Sequence, residues 1–416
     1  MNNGMKRFFA VAAVALMVPA VAAASTARIA GLNAPGDYVK GDYTGMFTYL
    51  SEVNSVGNLV YVEAGSIYYN LSDHAVGAVL PGLFDGKYGV WSFNLRQYHP
   101  ALGQSWNGSG LNPYNYNMSS GDLGYDPNMQ GEAFDIIWGH KMGNGNLALR
   151  VNRSFESTDN GTSQTEGDGN YNRNILGFGG GYGWDMNANT QVEIGVHYQQ
   201  RSFDQGTGGS TDNGGTAMLV AARAFRKAAG NLTLVPAVKY FSFDNSYTTS
   251  TPTDVDEKYS GWQAGLAGNW TVGSDDLLVF GAQFAQNKGD YGDDTETETY
   301  MPNVFLALET HINPWLTFRA GAQSAMFYSY KYEQSNPSAE YTEKANTFNF
   351  NLGTTVKLGN LTLDAVLDPA FLQNPFAQLM GGSSAFYYND YYGNSRGDGF
   401  NAGNTAFPMV SATYTW

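Results

Sequence analysis

From Asn58 to the end of the chain, apolar side chains alternate with polar or very small ones at a spacing of two, which confines the chain to extended strands with two unlike faces. In the run 191–198, Val192, Ile194, Val196 and Tyr198 share one face against Glu193, Gly195 and His197. Further on, Leu316, Phe318, Ala320 and Ala322 oppose Thr317, Arg319, Gly321 and Gln323, and Phe348, Phe350, Leu352, Val356 and Leu358 oppose Asn349, Asn351, Gly353, Thr355 and Lys357. A soluble antiparallel sheet alternates too, but it turns charge outward. Here the second face is rich in glycine, glutamine and threonine, and only 14% of residues are charged, against about 25% in ordinary soluble domains. Runs of about ten residues, apolar on one side only, are what a strand needs to cross a bilayer.

The connections alternate in length as well. Tight links at 82–87, 143–146, 185–189, 227–231, 272–275, 313–314 and 359–360 carry Gly, Asn, Asp and Pro, the residues of sharp turns. Between them lie long polar stretches at 97–130, 156–170, 204–213, 245–257, 289–298, 333–343 and 371–404. Short turns at one end and long loops at the other fit a barrel that spans a membrane, and give a sandwich no advantage. Strands are expected near 58–65, 74–81, 87–96, 131–141, 146–155, 172–184, 189–203, 214–226, 231–244, 258–271, 276–288, 299–312, 315–331, 345–358, 361–370 and 405–416. The expected fold is therefore all-β, a transmembrane antiparallel β-barrel of about 16 strands, too wide for its own side chains to fill. Such a barrel leaves an aqueous channel unless something plugs it.

Ahead of the barrel, Met5-Lys6-Arg7, an apolar run from Phe8 to Val18, and small residues up to Ala24 read as a secretory signal peptide over residues 1–24. The apolar run is about half the length of a spanning helix. Residues 25–57 show no clean period and are expected to form a segment that stays periplasmic or enters the barrel mouth, with the transmembrane barrel over 58–416. The chain has no cysteine, so disulfide frameworks and thiolate metal sites are excluded. A net charge of −15 argues against nucleic acid as a partner.

The last stretch, Thr405 to Trp416, puts Pro408, Val410, Ala412, Tyr414 and Trp416 on one face and ends on an aromatic. It resembles the closing strand of Gram-negative outer-membrane β-barrels, which implies the cell outer membrane as location and its lipid and lipopolysaccharide as partners. The segment with Arg28-Ile-Ala-Gly-Leu32, Asp37, Asp42 and Phe47 resembles the N-terminal hatch of the long-chain fatty-acid transporter family.

On the expected inward face fall Arg150, Arg201, Lys239, Arg319 and Lys357, together with Glu193, His197, Asp364, Asp135 and Glu309. Opposed basic and acidic walls would set a field across a polar pore, an arrangement similar to the constriction of general-diffusion porins. That resemblance implies passive diffusion of small hydrophilic solutes or ions, with a homotrimer as one assembly. Gly177, Gly179, Gly181, Gly183, Gly195, Gly265, Gly281, Gly321 and Gly353 also face inward, and glycines inside strands mark places where another backbone comes close. The expected visitor is a long loop, first 97–130 with Trp106, Tyr114 and Tyr116 as constriction residues, then 371–404. Acidic loops such as 290–298 favour cations. The five histidines are scattered, without HExxH or GxSxG, so no catalytic residue, metal or cofactor is expected. The competing reading is a barrel closed by its N-terminal hatch that takes up hydrophobic substrates.

Overall fold

The computed structural model describes residues 25–65, 74–96, 133–158, 171–205, 211–248, 254–273, 275–291, 294–334, 340–346, 348–367, 387–389, 395–397 and 409–416. The expected signal segment 1–24 and the loop residues Trp106, Tyr114 and Tyr116 lie outside them.

The strands are β1 (Leu59–Gly65), β2 (His74–Leu80), β3 (Val90–Arg96), β4 (Ala133–Met142), β5 (Gly145–Thr158), β6 (Tyr171–Asn187), β7 (Thr190–Gln205), β8 (Thr211–Ala229), β9 (Leu232–Thr248), β10 (Asp254–Val272), β11 (Asp276–Tyr291) and β12 (Asp294–Asn313). After them come β13 (Leu316–Ala325), β14 (Tyr328–Glu333), β15 (Tyr341–Ala345), β16 (Asn349–Leu358), β17 (Leu361–Leu367), a separate small hairpin of β18 (Tyr387–Asn389) and β19 (Ser395–Gly397), and β20 (Met409–Thr415). Each barrel strand pairs antiparallel with its neighbours, and β20 pairs with both β1 and β17, which closes the sheet. β13 and β14 lie end to end along β12, and β15 and β16 continue one another in the same way, so eighteen segments make a barrel of sixteen strands. The expected fold is the observed one. Two strands expected as single runs, 315–331 and 345–358, are each broken, at Met326–Phe327 and near Phe348. At the same level β12 shifts register beside Met301 and Pro302, where proline has no N–H to give the ladder.

The two faces sort as the period demands. Val62, Leu149, Val151, Phe178, Val238, Leu266 and Leu306 are exposed on the outside. They alternate with buried inward residues such as Glu63, Arg150, Asn152, Ala237 and Ala267. Indoles collect near the short turns, with Trp138, Trp184, Trp270, Trp315 and Trp416 all on the outer surface at that end. An aromatic band of this kind sits at a lipid–water boundary. No helix among the described residues is long and apolar enough to cross a membrane. Crossing is by strands, whose ladder hydrogen bonds leave no backbone polar group facing hydrocarbon. A closed barrel with this exterior is an outer-membrane structure.

Residues 25–56 lie inside the barrel. They form one short helix, α1 (Thr26–Leu32), and three 3₁₀ turns at Gly36–Tyr38, Tyr43–Phe47 and Leu50–Ser55. Ser25 caps α1 by accepting from the Arg28 N–H, and Asn33 ends it in the left-handed region at φ 44°. Asp42 caps the next turn through the Thr44 N–H. A segment without strand or helix period can fill a lumen because its backbone groups find partners in caps and on the wall. Its apolar residues form the interior of the molecule. Leu32, Tyr38, Met46, Phe47, Leu50 and Val53 are fully buried against inward residues such as Tyr61, Ile137, Ala148, Val235, Ala267 and Phe305.

Candidate functional site: the plug and the wall that holds it

Apolar burial at about 1.5–3 kcal/mol per large side chain drives the plug into the lumen, and charged wall residues fix where it sits. α1 lies against β12, β13, β16 and β17. There the Arg28 guanidinium donates through Nε and Nη2 to both oxygens of Glu309, at 2.7 and 2.9 Å, while Arg319 donates to Glu309 and to Asp364. Asp364 also accepts from the hydroxyls of Ser25 and Thr355. A fork on a planar carboxylate fixes orientation as well as position.

The turn Leu50–Ser55 lies against β4, β5, β6 and β7. Next to it Arg223 donates to Glu193 at 2.8 Å, forms an ion pair with Glu52 at 2.5 Å, and donates to the Asp37 carbonyl at 3.0 Å, its guanidinium 3.9 Å from the centre of the Tyr49 ring. Arg150 is held by Asp135 through two hydrogen bonds and lies 3.5 Å from the Phe47 carbonyl. Glu63 accepts from Arg96, from the Tyr43 hydroxyl and from the Thr26 N–H. Lys239 pairs with Asp37 at 2.5 Å, and the Tyr49 hydroxyl donates to the same carboxylate. His197 Nε2 lies 2.9 Å from the Thr48 carbonyl, which can only accept, so that nitrogen carries the proton.

Of the residues expected to line an open pore, Arg150, Glu193, His197, Lys239, Arg319 and Asp364 do face inward. All but Lys239, whose side chain is 16% exposed, are shut off from water. In the half of the lumen nearest the short turns, these charges clasp the plug and its immediate wall partners. Lys357 is the exception, exposed at the end of β16. Arg201 stands on β7 in the register of Glu193 and His197.

The inward glycines also receive a different visitor from the expected loop. The Thr48 carbonyl lies where a Cβ on Gly195 would be, and the Leu32 carbonyl where one on Gly321 would be. At Gly181 a Cβ would lie 2.9 Å from that of Leu50, and at Gly353 one would lie 3.0 Å from the Gly31 Cα. The visiting backbone is residues 31–51 of the plug. Arg223 and Arg96 escaped the sequence reading, although the inward parity of β8 and β3 could have marked them. Arg28, Asp42 and Glu52 carried no periodic signal at all.

Burial without full compensation shifts the plug's carboxyls. Asp42 is pushed up to about 6, chiefly by desolvation, with Arg28 pulling the other way from 3.7 Å. Glu52 is also raised by burial against the opposing pull of Arg223. A folded-state value above the unfolded one stabilises docking fully at low pH and loses that contribution as pH rises through the folded value. Docking should therefore weaken by about 1–3 kcal/mol between roughly pH 4 and pH 7 from Asp42 alone. Tryptic cleavage after Arg28, corrected for the enzyme's own pH profile, should accelerate over that range in the wild type and less in Asp42→Asn.

No protein-family model matches the chain, and no curated protein matches it. Among solved structures, it is similar to the FrpB iron transporter from Neisseria meningitidis, with TM-score 0.42 and 10% identity over 57% of this chain and 44% of that one. The siderophore receptor PiuA from Acinetobacter baumannii matches with TM-score 0.40 and 11% identity over 76% of this chain and 50% of that one. The alcaligin outer membrane receptor FauA from Bordetella pertussis matches with TM-score 0.42 and 10% identity over 74% and 60%. The chain spans about half the length of these structures, and at such scores they assign it neither a family nor a substrate.

Proposed function

We propose that this protein is an outer-membrane channel for polar solutes whose lumen is closed by its own N-terminal segment and opens when that segment shifts. The observation that carries this reading is the docking of residues 25–56. Most of their apolar side chains are buried against the wall, and each turn is tied to it as well by ions and hydrogen bonds. Polar contacts of this kind can be exchanged for water at small net cost, which suits a part that moves. A freely open porin does not fit a lumen filled in this way. The wall beside and beyond the plug carries the buried polar residues Gln263, Gln283, Asn303 and Glu298, the first of them reaching the plug's Asp37 at 3.5 Å, which favours polar cargo. A second reading, uptake of hydrophobic substrates, draws on Leu219, Phe241, Phe243 and Tyr259, a buried apolar group on the inward face next to Tyr49 of the plug.

A reversible staple tests the gate. At the short-turn rim Lys40 donates to Gln191, and the chain has no native cysteine to interfere. In K40C/Q191C bridged by a bis-methanethiosulfonate, sugar uptake into proteoliposomes should drop to that of empty vesicles and return on reduction. Uptake indifferent to the staple would remove the gating idea. Dodecanoate uptake with no sugar uptake in the unstapled protein would favour the hydrophobic reading.

A further inference from the structure

The plug begins against three acceptors that stand side by side on the wall. Across the closing ladder, Ser411 on β20 pairs with Glu63 on β1 and with Asp364 on β17, so the three side chains form a buried row on the inward face. The first two residues of the plug bridge this row. The Ser25 hydroxyl donates to Asp364 at 2.9 Å, and the Thr26 N–H donates to Glu63 at 3.0 Å. The Ser411 hydroxyl, between the two carboxylates, has no hydrogen-bond partner. The Ser25 nitrogen is one residue from that of Thr26, a span of at most about 3.6 Å, which keeps it within about 7 Å of the Glu63 carboxylate.

Charge is out of balance at the same place. Glu63, Glu309, Asp364 and Asp42 are all buried around α1, and Arg28, Arg96 and Arg319 are the guanidiniums that pair with them. The neighbouring Arg150 and Asp135 pair with each other and cancel. Among the described residues, four carboxylates therefore face three cations, and a buried charge without a counter-charge is costly.

We propose that removal of the leader expected over residues 1–24 creates the missing cation, the α-ammonium of Ser25, which sits on the row of Glu63, Ser411 and Asp364 and locks the plug. A chain that still carries Ala24 has an uncharged amide at that nitrogen, with a single N–H. Hydrolysis of the Ala24–Ser25 peptide bond consumes one water. It leaves a carboxylate on Ala24, which departs with the leader, and an amine on Ser25, which takes up the proton. The ammonium then has three donors for three acceptors. It needs no added space, because the nitrogen is already in place. Read only as a cap on α1, the row accounts for the Ser25 and Thr26 contacts but leaves the Ser411 hydroxyl and the fourth carboxylate unanswered. The consequence for permeation rests on the gate proposed above. The test does not, because proteolysis reads docking whether or not a solute passes.

The test uses the full protein purified from outer membranes. Its intact mass should give Ser25 as the first residue. A variant with Gln-Gln inserted after Ala24, its own first residue confirmed by mass, carries the α-ammonium two residues away from the row. At pH 7 trypsin should cut this variant after Arg28 at least about tenfold faster than the wild type, the loss of one good interaction, with the same β-sheet content by circular dichroism. An α-amine titrates at about 7.7–8.0 when free. Pairing raises that value in the docked plug, so the contribution is fully present below about pH 8 and is lost as pH rises through the docked value. Protection of the Arg28 bond, measured against a reference peptide, should therefore fall between about pH 8 and pH 10 in the wild type and stay flat in the insertion variant. The variant keeps every other titratable group around the amine, the four carboxylates, the three guanidiniums and the Tyr43 hydroxyl on Glu63, so the difference between the two profiles belongs to the amine. A merely steric effect of the insertion predicts faster cleavage without a pH step in the wild type. A wild-type first residue other than Ser25, equal cleavage of the two proteins, or a missing pH step overturns the assignment.

Discussion

Replacing Arg223 with methionine should undock the plug and turn a silent barrel into a conducting one. The guanidinium is fully enclosed and faces two carboxylates, Glu193 on the wall at 2.8 Å and Glu52 on the plug at 2.5 Å. Its side chain is 0% exposed, theirs 3% and 6%. Removing one member of a buried ionic group costs about 3–5 kcal/mol, because the charges left behind keep their desolvation penalty and lose their compensation. Here that cost can be escaped in only one direction. Glu193 belongs to β7, held in register by β6 and β8 along its length. Glu52 belongs to a 3₁₀ turn that can leave. R223M should therefore expose the Arg28 bond to trypsin and raise planar-bilayer conductance, with unchanged β-sheet content by circular dichroism. The triple variant R223M/E193Q/E52Q removes the stranded charges and should regain most of the docking. Wild-type proteolysis and conductance in R223M would mean that apolar packing alone holds the plug.

The barrel was legible in the sequence because a strand's two faces meet two different solvents, so each residue reports its own orientation. Val192 and Glu193 could be assigned to lipid and lumen without knowing their neighbours. The same parity placed Arg150, Lys239 and Asp364 inward correctly. It could not say what they touch, since a charge facing water and a charge facing a plug occupy the same position in the period. The plug itself obeys no period. Arg28, Asp42 and Glu52 gain their meaning from contacts with residues up to 281 positions away, such as Arg28 with Glu309. The strand glycines were the one trace of the plug left in the wall. They announced a close backbone without naming it; loop length pointed to 97–130, which lies outside the described residues, while the backbone that meets Gly195, Gly321 and Gly353 belongs to the stretch before the first strand. The break at Met326–Phe327 had no turn residue to mark it, and the one near Phe348 only Asn346.

Those glycines yield the second large effect. Gly321 to alanine, a change of one methyl group, places a Cβ on the Leu32 carbonyl, and Gly195 to alanine places one on the Thr48 carbonyl. Both obstacles are backbone, so no rotamer change relieves the overlap, and β13 is fixed by its ladders to β12 and β16. Overpacking costs about 1–3 kcal/mol where side chains can yield, and here the upper end is the starting point. The plug must retreat, which pulls the Arg28 guanidinium off the Glu309 fork that α1 depends on. G321A and G195A should each raise conductance and hasten cleavage after Arg28. Gly180 provides the internal control. It sits between Gly179 and Gly181 on the same strand, but a Cβ there would come no nearer than 3.9 Å to Leu149. G180A should behave as wild type and even gain slightly in stability, since alanine narrows the unfolded chain's freedom. If G321A and G180A prove indistinguishable in conductance and proteolysis, the plug does not rest on the wall where its backbone meets these glycines. If G321A alone conducts, the close approach of the two backbones sets the closed state, and a single methyl group is enough to end it.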